Sequence, residues 1–139
     1  KLLDLSDEGQ VARSMARAII DQGLSGLEEI WGSEVTLFYP GLYAGQTDLC
    51  GIYSGRESII DFKQTNKPKK REWIEDYFLQ LAAYAMAHDV IYGTCVDQGV
   101  ILMCSKDGFF QKFTSNGGEF TRFKHKFLGK IDQFYQKKK

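Results

Sequence analysis

The chain has 139 residues, 18 basic and 18 acidic side chains, and a formal net charge of zero. This length suits one globular domain, and the balanced charge excludes a strong overall attraction to polyanions. Apolar residues make up 43% of the chain, yet no apolar run approaches the length that crosses a bilayer. We therefore expect residues 1–139 to form one soluble domain.

Cysteine usage and the first residues bear on the compartment. Cys50, Cys95 and Cys104 are odd in number and lie in apolar, strand-like stretches, which is typical of buried thiols in a reducing compartment. No Cys-x-x-Cys pair is present, so the sequence does not favour a zinc or iron–sulfur site. Without a visible secretory leader, we expect an intracellular protein of a host or bacterial cytoplasm or of the mitochondrial matrix. Because the chain starts with Lys1 instead of methionine, we expect it to be trimmed at its N-terminus.

The first predicted element is a helix. Residues 7–23 place apolar side chains at helical spacing, and Ser6 is in position to cap the N-terminus of the helix. Glycines at 23 and 26 then interrupt the pattern. Residues 27–31 are expected to add one short helical turn before Gly32.

Three strands with short connections follow. Alternating apolar residues predict strands over 34–39, 43–53 and 56–65, with turns at Pro40-Gly41 and Ser54-Gly55. Such short connections are typical of antiparallel neighbours. The sequence therefore predicts a β-meander.

The second half of the chain contains two more helices and two more strands. In chain order we predict a basic loop over 66–71, a helix over 73–88, strands over 94–105 and 109–113, a loop over 116–118 and a closing helix over 119–136.

The strand predicted over 56–65 carries two charges among apolar residues. Side chains alternate faces along a strand, so Asp61 and Lys63 project from one side and Ile60 and Phe62 from the other. An unpaired ion away from water costs roughly several kcal/mol, so these charges need compensation, which a divalent metal would supply. The alternative is an ion pair at a strand edge, which contributes only about 0–1 kcal/mol.

Metal-assisted hydrolysis of a phosphodiester needs hard oxygen ligands and a cation near the phosphate. Asp48 and Asp61, on neighbouring strands, are candidate ligands, and the backbone carbonyl of Phe62 is a third. Lys63 is placed to orient a water molecule or to stabilise charge that develops on phosphorus. The alternative for Asp48 is a turn or bulge residue, since Gly45 precedes it.

Two further polar groups lie after this strand. Gln80 and Tyr84 are four residues apart and so share one side of the predicted helix. The alternative to a functional role is a satisfied polar pair beside the core.

The basic loop is either a solvated loop or a phosphate contact. Its cationic side chains are Lys67, Lys69, Lys70 and Arg71.

These motifs together resemble a known family. Asp48, followed thirteen positions later by Asp61-Phe62-Lys63 and then by a Gln-x-x-x-Tyr segment from Gln80 to Tyr84, resembles the RecB-type branch of the PD-(D/E)XK nuclease superfamily. Within it, the chain is similar to the mitochondrial genome maintenance exonucleases and their relatives, from about Glu34 to the end. The combination is far more specific than the Asp-hydrophobic-Lys triplet alone.

The resemblance implies a fold and a set of roles. The fold is of the α/β class, an α+β domain with a restriction-endonuclease-like core in which a central mixed β-sheet, built from a β-meander, is flanked by helices. Asp48 and Asp61 become metal ligands, and Lys63 becomes the catalytic lysine. Glu34 lies where relatives often place an additional acidic residue. Gln80 and Tyr84 would support the site or the nucleic acid.

The function that the resemblance implies is a DNA exonuclease that depends on Mg or Mn, with a preference for single-stranded ends. One departure is that many relatives carry a histidine on an upstream helix, and this sequence has none before residue 48. Either that piece lies upstream of Lys1, or this member works without it, which supports an alternative function. The alternative is a catalytically impaired, nuclease-like module that binds nucleic acid. A site-specific endonuclease is a third reading, disfavoured because little chain remains to read bases.

Overall fold

The structure is a computed structural model that describes residues 7–39 and 43–137. Within these ranges, it does not describe the side chains of residues 7, 8, 12, 33–39, 43–48 and 135. The predicted cap at Ser6 and the predicted Pro40-Gly41 turn therefore lie outside the described residues.

The described residues form five strands and three α-helices with short helical turns between them. In chain order these are α1 (Asp7–Ala18), a π-helical turn (Ile19–Gly23), a 3-10 turn (Leu24–Gly26), β1 (Leu27–Tyr39), β2 (Tyr43–Tyr53), β3 (Arg56–Thr65), a 3-10 turn (Arg71–Trp73), α2 (Glu75–Tyr92), β4 (Gln98–Ser105), β5 (Phe110–Asn116) and α3 (Gly117–Lys137).

The strands form one mixed sheet in the order β1-β2-β3-β4-β5. The first three strands pair antiparallel, as the predicted meander requires, and β5 pairs antiparallel with β4. Only β3 and β4 run parallel, and α2 is the crossover between them, because parallel neighbours cannot be joined by a tight turn. The predicted fold class, a mixed sheet flanked by helices, is confirmed.

Each face of the sheet has its own buried cluster. Ile59 and Ile101 face α2 and α3, where they pack with Phe78 and Phe120. Their neighbours along the strands face α1, including Ile60, which packs in the cluster around Met15. All eight residues of β4 are buried, as expected for a strand that is covered on both faces.

The segment from Leu27 to Trp31 is not the predicted helical turn but the first part of β1. Pairing with β2, which places Leu27 opposite Tyr53, supplies backbone hydrogen bonds that a single helical turn would lack. Two register shifts bring the β1 backbone close to β2 at Gly51. A Cβ there would lie 1.9 Å from the carbonyl oxygen of Glu29, so only glycine fits.

Two other predictions in the second half are wrong. Of the predicted loop at 116–118, Asn116 ends β5 and the two glycines begin α3, because Gly117 adopts a left-handed φ of 57° and turns the chain directly from the strand into the helix. Cys95 is exposed and precedes β4, whereas Cys50 and Cys104 are buried as predicted. The strand starts only at Gln98, after α2 has ended at the left-handed Gly93.

Candidate active site

Asp61 and Lys63 form an ion pair on the face of β3 that α2 covers. The Nζ atom of Lys63 lies 2.9 Å from Oδ2 of Asp61, and the two side chains are 29% and 14% exposed. Phe62, between them, packs in the cluster on the opposite face. Strand alternation therefore places the charges as the sequence predicts, in a partly buried position.

Tyr77, near the start of α2, completes the surroundings of this pair. The Nζ atom of Lys63 lies 4.8 Å from the centre of the Tyr77 ring, within the range of a cation–π contact. This tyrosine is not among the predicted site residues. Its spacing from Gln80 and Tyr84, three and seven residues along one helix, was the signal that could have indicated a shared face.

The register of β2 and β3 locates Asp48 relative to Asp61. The last recorded pair of the two strands is Leu49 with Ile60. Asp48 precedes Leu49, and Asp61 follows Ile60, so the two aspartates occupy the next position along these antiparallel strands. The side chain of Asp48 lies outside the description, and its role as a metal ligand stays a prediction.

Glu34 lies on the adjacent strand of the sheet. Its neighbours Ser33 and Val35 pair with Leu49 and Thr47, which flank Asp48. The backbone thus brings three acidic positions onto three adjacent strands. The side chain of Glu34 is also outside the description, so its part in the site remains a prediction.

Gln80 and Tyr84 meet on α2 as their spacing predicts. Nε2 of Gln80 donates a hydrogen bond of 2.9 Å to the Tyr84 hydroxyl. Both residues line a groove between α2 and α3, together with Phe127 and Lys130. The two side chains thus satisfy each other's hydrogen bonding. Their supporting role toward nucleic acid stays a prediction.

The basic loop is held at the end of β3. Gln111 accepts a hydrogen bond of 2.9 Å from the backbone N–H of Lys69 and donates one of 2.8 Å to its carbonyl, which ties the loop to β5. Arg71 forms an ion pair of 2.5 Å with Glu119 of α3. The loop therefore has a fixed path, with Lys67 and Lys70 exposed at the surface.

The donor chemistry of the site suits a hard divalent cation. Asp61 contributes a partly buried carboxylate, and Mg²⁺ in proteins commonly uses one or two carboxylates together with water and phosphate oxygens. A full protein cage of three or more His, Cys, Asp or Glu side chains is not found among the side chains that the structure describes. The predicted carbonyl ligand at Phe62 belongs to the same strand segment and stays a prediction.

Comparison with known proteins finds similarity to exonucleases. No model of a known protein family matches the chain. Over 71 residues, however, the chain is 39% identical to mitochondrial genome maintenance exonuclease 1 of Homo sapiens and equally to that of Xenopus tropicalis. Part of this chain is homologous to mitochondrial genome maintenance exonuclease 1. The match covers 48% of this chain but only 20% of each relative, so it spans about a fifth of their length.

A solved structure extends the likeness from part of the chain to the fold. A protein of Eubacterium rectale that is named for an inferred exonuclease activity superposes with a TM-score of 0.68, over 96% of this chain and 53% of that one. Sequence identity is 13%, so this similarity concerns the fold alone.

Within the described ranges, none of the helices combines the length and apolar character needed to cross a membrane.

His88 and Cys50 line one cavity between α2 and the sheet. His88, near the end of α2, is buried, and its ring stacks on Trp31 with 5.5 Å between ring centres. Burial lowers the pKa of His88, which favours the neutral ring. Burial also raises the pKa of Cys50 to about 12, so its thiol stays protonated.

Proposed function

We propose that this chain is the core of a metal-dependent DNA exonuclease of the PD-(D/E)XK superfamily. It would hydrolyse phosphodiester bonds, prefer single-stranded ends, and act in DNA processing or genome maintenance. The observation that carries the proposal is the Asp61–Lys63 pair, 2.9 Å apart, on the strand next to the one that carries Asp48. Homology to mitochondrial genome maintenance exonuclease 1 supports the reaction class.

In this proposal the acidic positions hold the cation. Asp48 and Asp61 are the carboxylate ligands of Mg²⁺ or Mn²⁺, the carbonyl of Phe62 is a further ligand, and Glu34 adds an acidic group on the neighbouring strand. When bound, the cation would polarise the scissile phosphate and offset its charge.

Lys63 supplies positive charge at the reacting phosphate. Its ammonium group is oriented by the Asp61 carboxylate and by the ring of Tyr77, so its position is fixed before the substrate arrives. It would stabilise the negative charge that develops on the phosphoryl oxygens. The exposed side chains of Lys67 and Lys70 would hold phosphates further along the strand, while Gln80 and Tyr84 would support the nucleic acid from α2.

The test is the release of nucleotides from a single-stranded oligonucleotide in Mg²⁺ or Mn²⁺, with EDTA as the metal-free reference. We expect Lys63→Ala and Asp61→Asn each to lower the rate by about a thousandfold, because each removes a charge that acts in the transition state. Lys112→Ala is the matched control, since Lys112 lies on the opposite face, with its Nζ atom 5.7 Å from the Tyr53 ring. Circular dichroism verifies that each variant is folded.

Unchanged release by folded Lys63→Ala would contradict the role of that lysine. Metal-independent binding of DNA, with no cleavage during long incubation by the wild-type chain, would instead favour the catalytically impaired binding module. A covalently closed circular strand separates the two nuclease classes, since an exonuclease needs an end and an endonuclease does not.

A further inference from the structure

Trp73 is the most exposed large apolar side chain among those the structure describes, with 63% of its surface accessible. A tryptophan gains stability from burial of its large ring, so this exposure forgoes a sizeable hydrophobic contribution. The ring lies in the 3-10 turn that leads into α2. The next residue, Ile74, is 1% exposed and anchors the turn in the core.

One cation lies over the Trp73 ring, and the turn that carries the ring is tethered. The Nζ atom of Lys70 lies 5.4 Å from the ring centre, within cation–π range. The backbone N–H of Trp73 donates a hydrogen bond of 3.0 Å to the Lys70 carbonyl, and Gln111 holds the backbone of Lys69 with two more. The ring therefore projects from a tethered turn.

This ring lies close to the candidate active site along the chain. Trp73 precedes Tyr77 by four residues, and the Tyr77 ring carries the Lys63 ammonium at 4.8 Å. The exposed lysines of the basic loop, Lys67 and Lys70, lie between β3 and this turn. An exposed aromatic ring with a cation beside it is a pattern that binds single-stranded nucleic acid, with bases on rings and phosphates on cations.

We propose that Trp73 is a stacking platform for an unpaired base and that, with Lys67 and Lys70, it makes the site selective for single-stranded ends. The inference rests on the proposed function and adds the residue that determines strand preference. Paired bases within a duplex have both faces covered by their neighbours, so a platform of this kind favours unpaired nucleotides.

The test measures binding of a fluorescein-labelled oligothymidylate to the whole chain in EDTA, by anisotropy. We expect Trp73→Ala to weaken the affinity by about tenfold to a hundredfold, because one base–aromatic stack is lost. Trp73→Phe keeps an aromatic face and should stay within about threefold of the wild type. Affinity for a blunt duplex should change by less than about twofold in both variants.

Tyr92→Ala is the matched control. Tyr92 is also an exposed aromatic residue, 58% accessible, but lies at the far end of α2, whose eighteen residues span about 27 Å. Equal affinity of Trp73→Ala and the wild type would overturn the platform and favour a protein contact at Trp73. An equal loss in Tyr92→Ala, or no binding by the wild type, would overturn it as well. Because no metal is present, these outcomes are independent of the cleavage that tests the proposed function.

Discussion

The two ends of α2 hold their polar side chains in different ways. At the C-terminal end, Oδ1 of Asp89 accepts hydrogen bonds of 2.8 Å from the Thr94 hydroxyl and from the backbone N–H of Val96. Lys124 of α3 lies 3.6 Å from the other carboxylate oxygen and donates to the Val96 carbonyl. The side chains there saturate one another and close the turn from α2 toward β4.

At the N-terminal end, cations rest on aromatic rings. Lys63, which also pairs with Asp61, lies over Tyr77, and the exposed Lys70 lies over Trp73. Such contacts fix a cation without removing its charge, so an anion can still approach it. Lys124 also lies over a ring, that of Phe120, but it donates to the Val96 carbonyl, so its cluster is closed by protein groups and serves folding. The exposed Lys70 on the Trp73 ring instead suits contact with a polyanion.

A large loss of stability is expected from a change at the C-terminal end of α2. Asp89→Ala removes the acceptor for the Thr94 hydroxyl and the Val96 N–H, and leaves Lys124 without its carboxylate. We expect the free energy of unfolding in urea to fall by about 2–3 kcal/mol, while cleavage per folded molecule stays unchanged.

Lys63→Ala should show the reverse pattern, with cleavage lost and the free energy of unfolding changed by no more than about 1–2 kcal/mol. If Asp89→Ala abolished cleavage without loss of stability, the assignment of the two ends of α2 would be wrong.

A smaller effect concerns pH and His88. The Thr94 hydroxyl donates its hydrogen to Asp89, so its oxygen accepts from Nδ1–H of His88, at 2.7 Å. Burial lowers the pKa of His88 in the folded state, while the negative charges of Asp89 and Glu57 oppose part of this shift. The unfolded chain, with a pKa near 6.5, therefore binds the proton first as pH falls.

Stability from the neutral ring is thus present above about pH 6.5 and is lost as pH falls through the lowered pKa. Urea unfolding at pH 8 and pH 5 should show a smaller decrease for His88→Asn than for the wild type. An equal decrease in both proteins would show that His88 does not contribute to the pH dependence.

The sequence predicts best what is set locally. The bounds of β3, Arg56–Thr65, and the shared face of Asp61 and Lys63 follow from turn residues and alternation, and both agree with the structure. The contact of Lys63 with Tyr77 joins a strand to a helix that follows it, so no local pattern reveals it. The start of β1 at Leu27 depends on pairing with Tyr53, and such tertiary pairing overrides a local helical pattern.

The most direct measurement is the affinity for Mn²⁺, followed by electron paramagnetic resonance, in the wild type and in Asp48→Asn and Asp61→Asn. Asp97→Asn is the control, because that carboxylate pairs with Arg56 at 2.6 Å, away from the candidate site. We predict that both site variants weaken Mn²⁺ binding by about tenfold or more while the control retains it. Wild-type affinity in Asp61→Asn, or an equal loss in Asp97→Asn, would contradict a divalent metal site shared by Asp48 and Asp61.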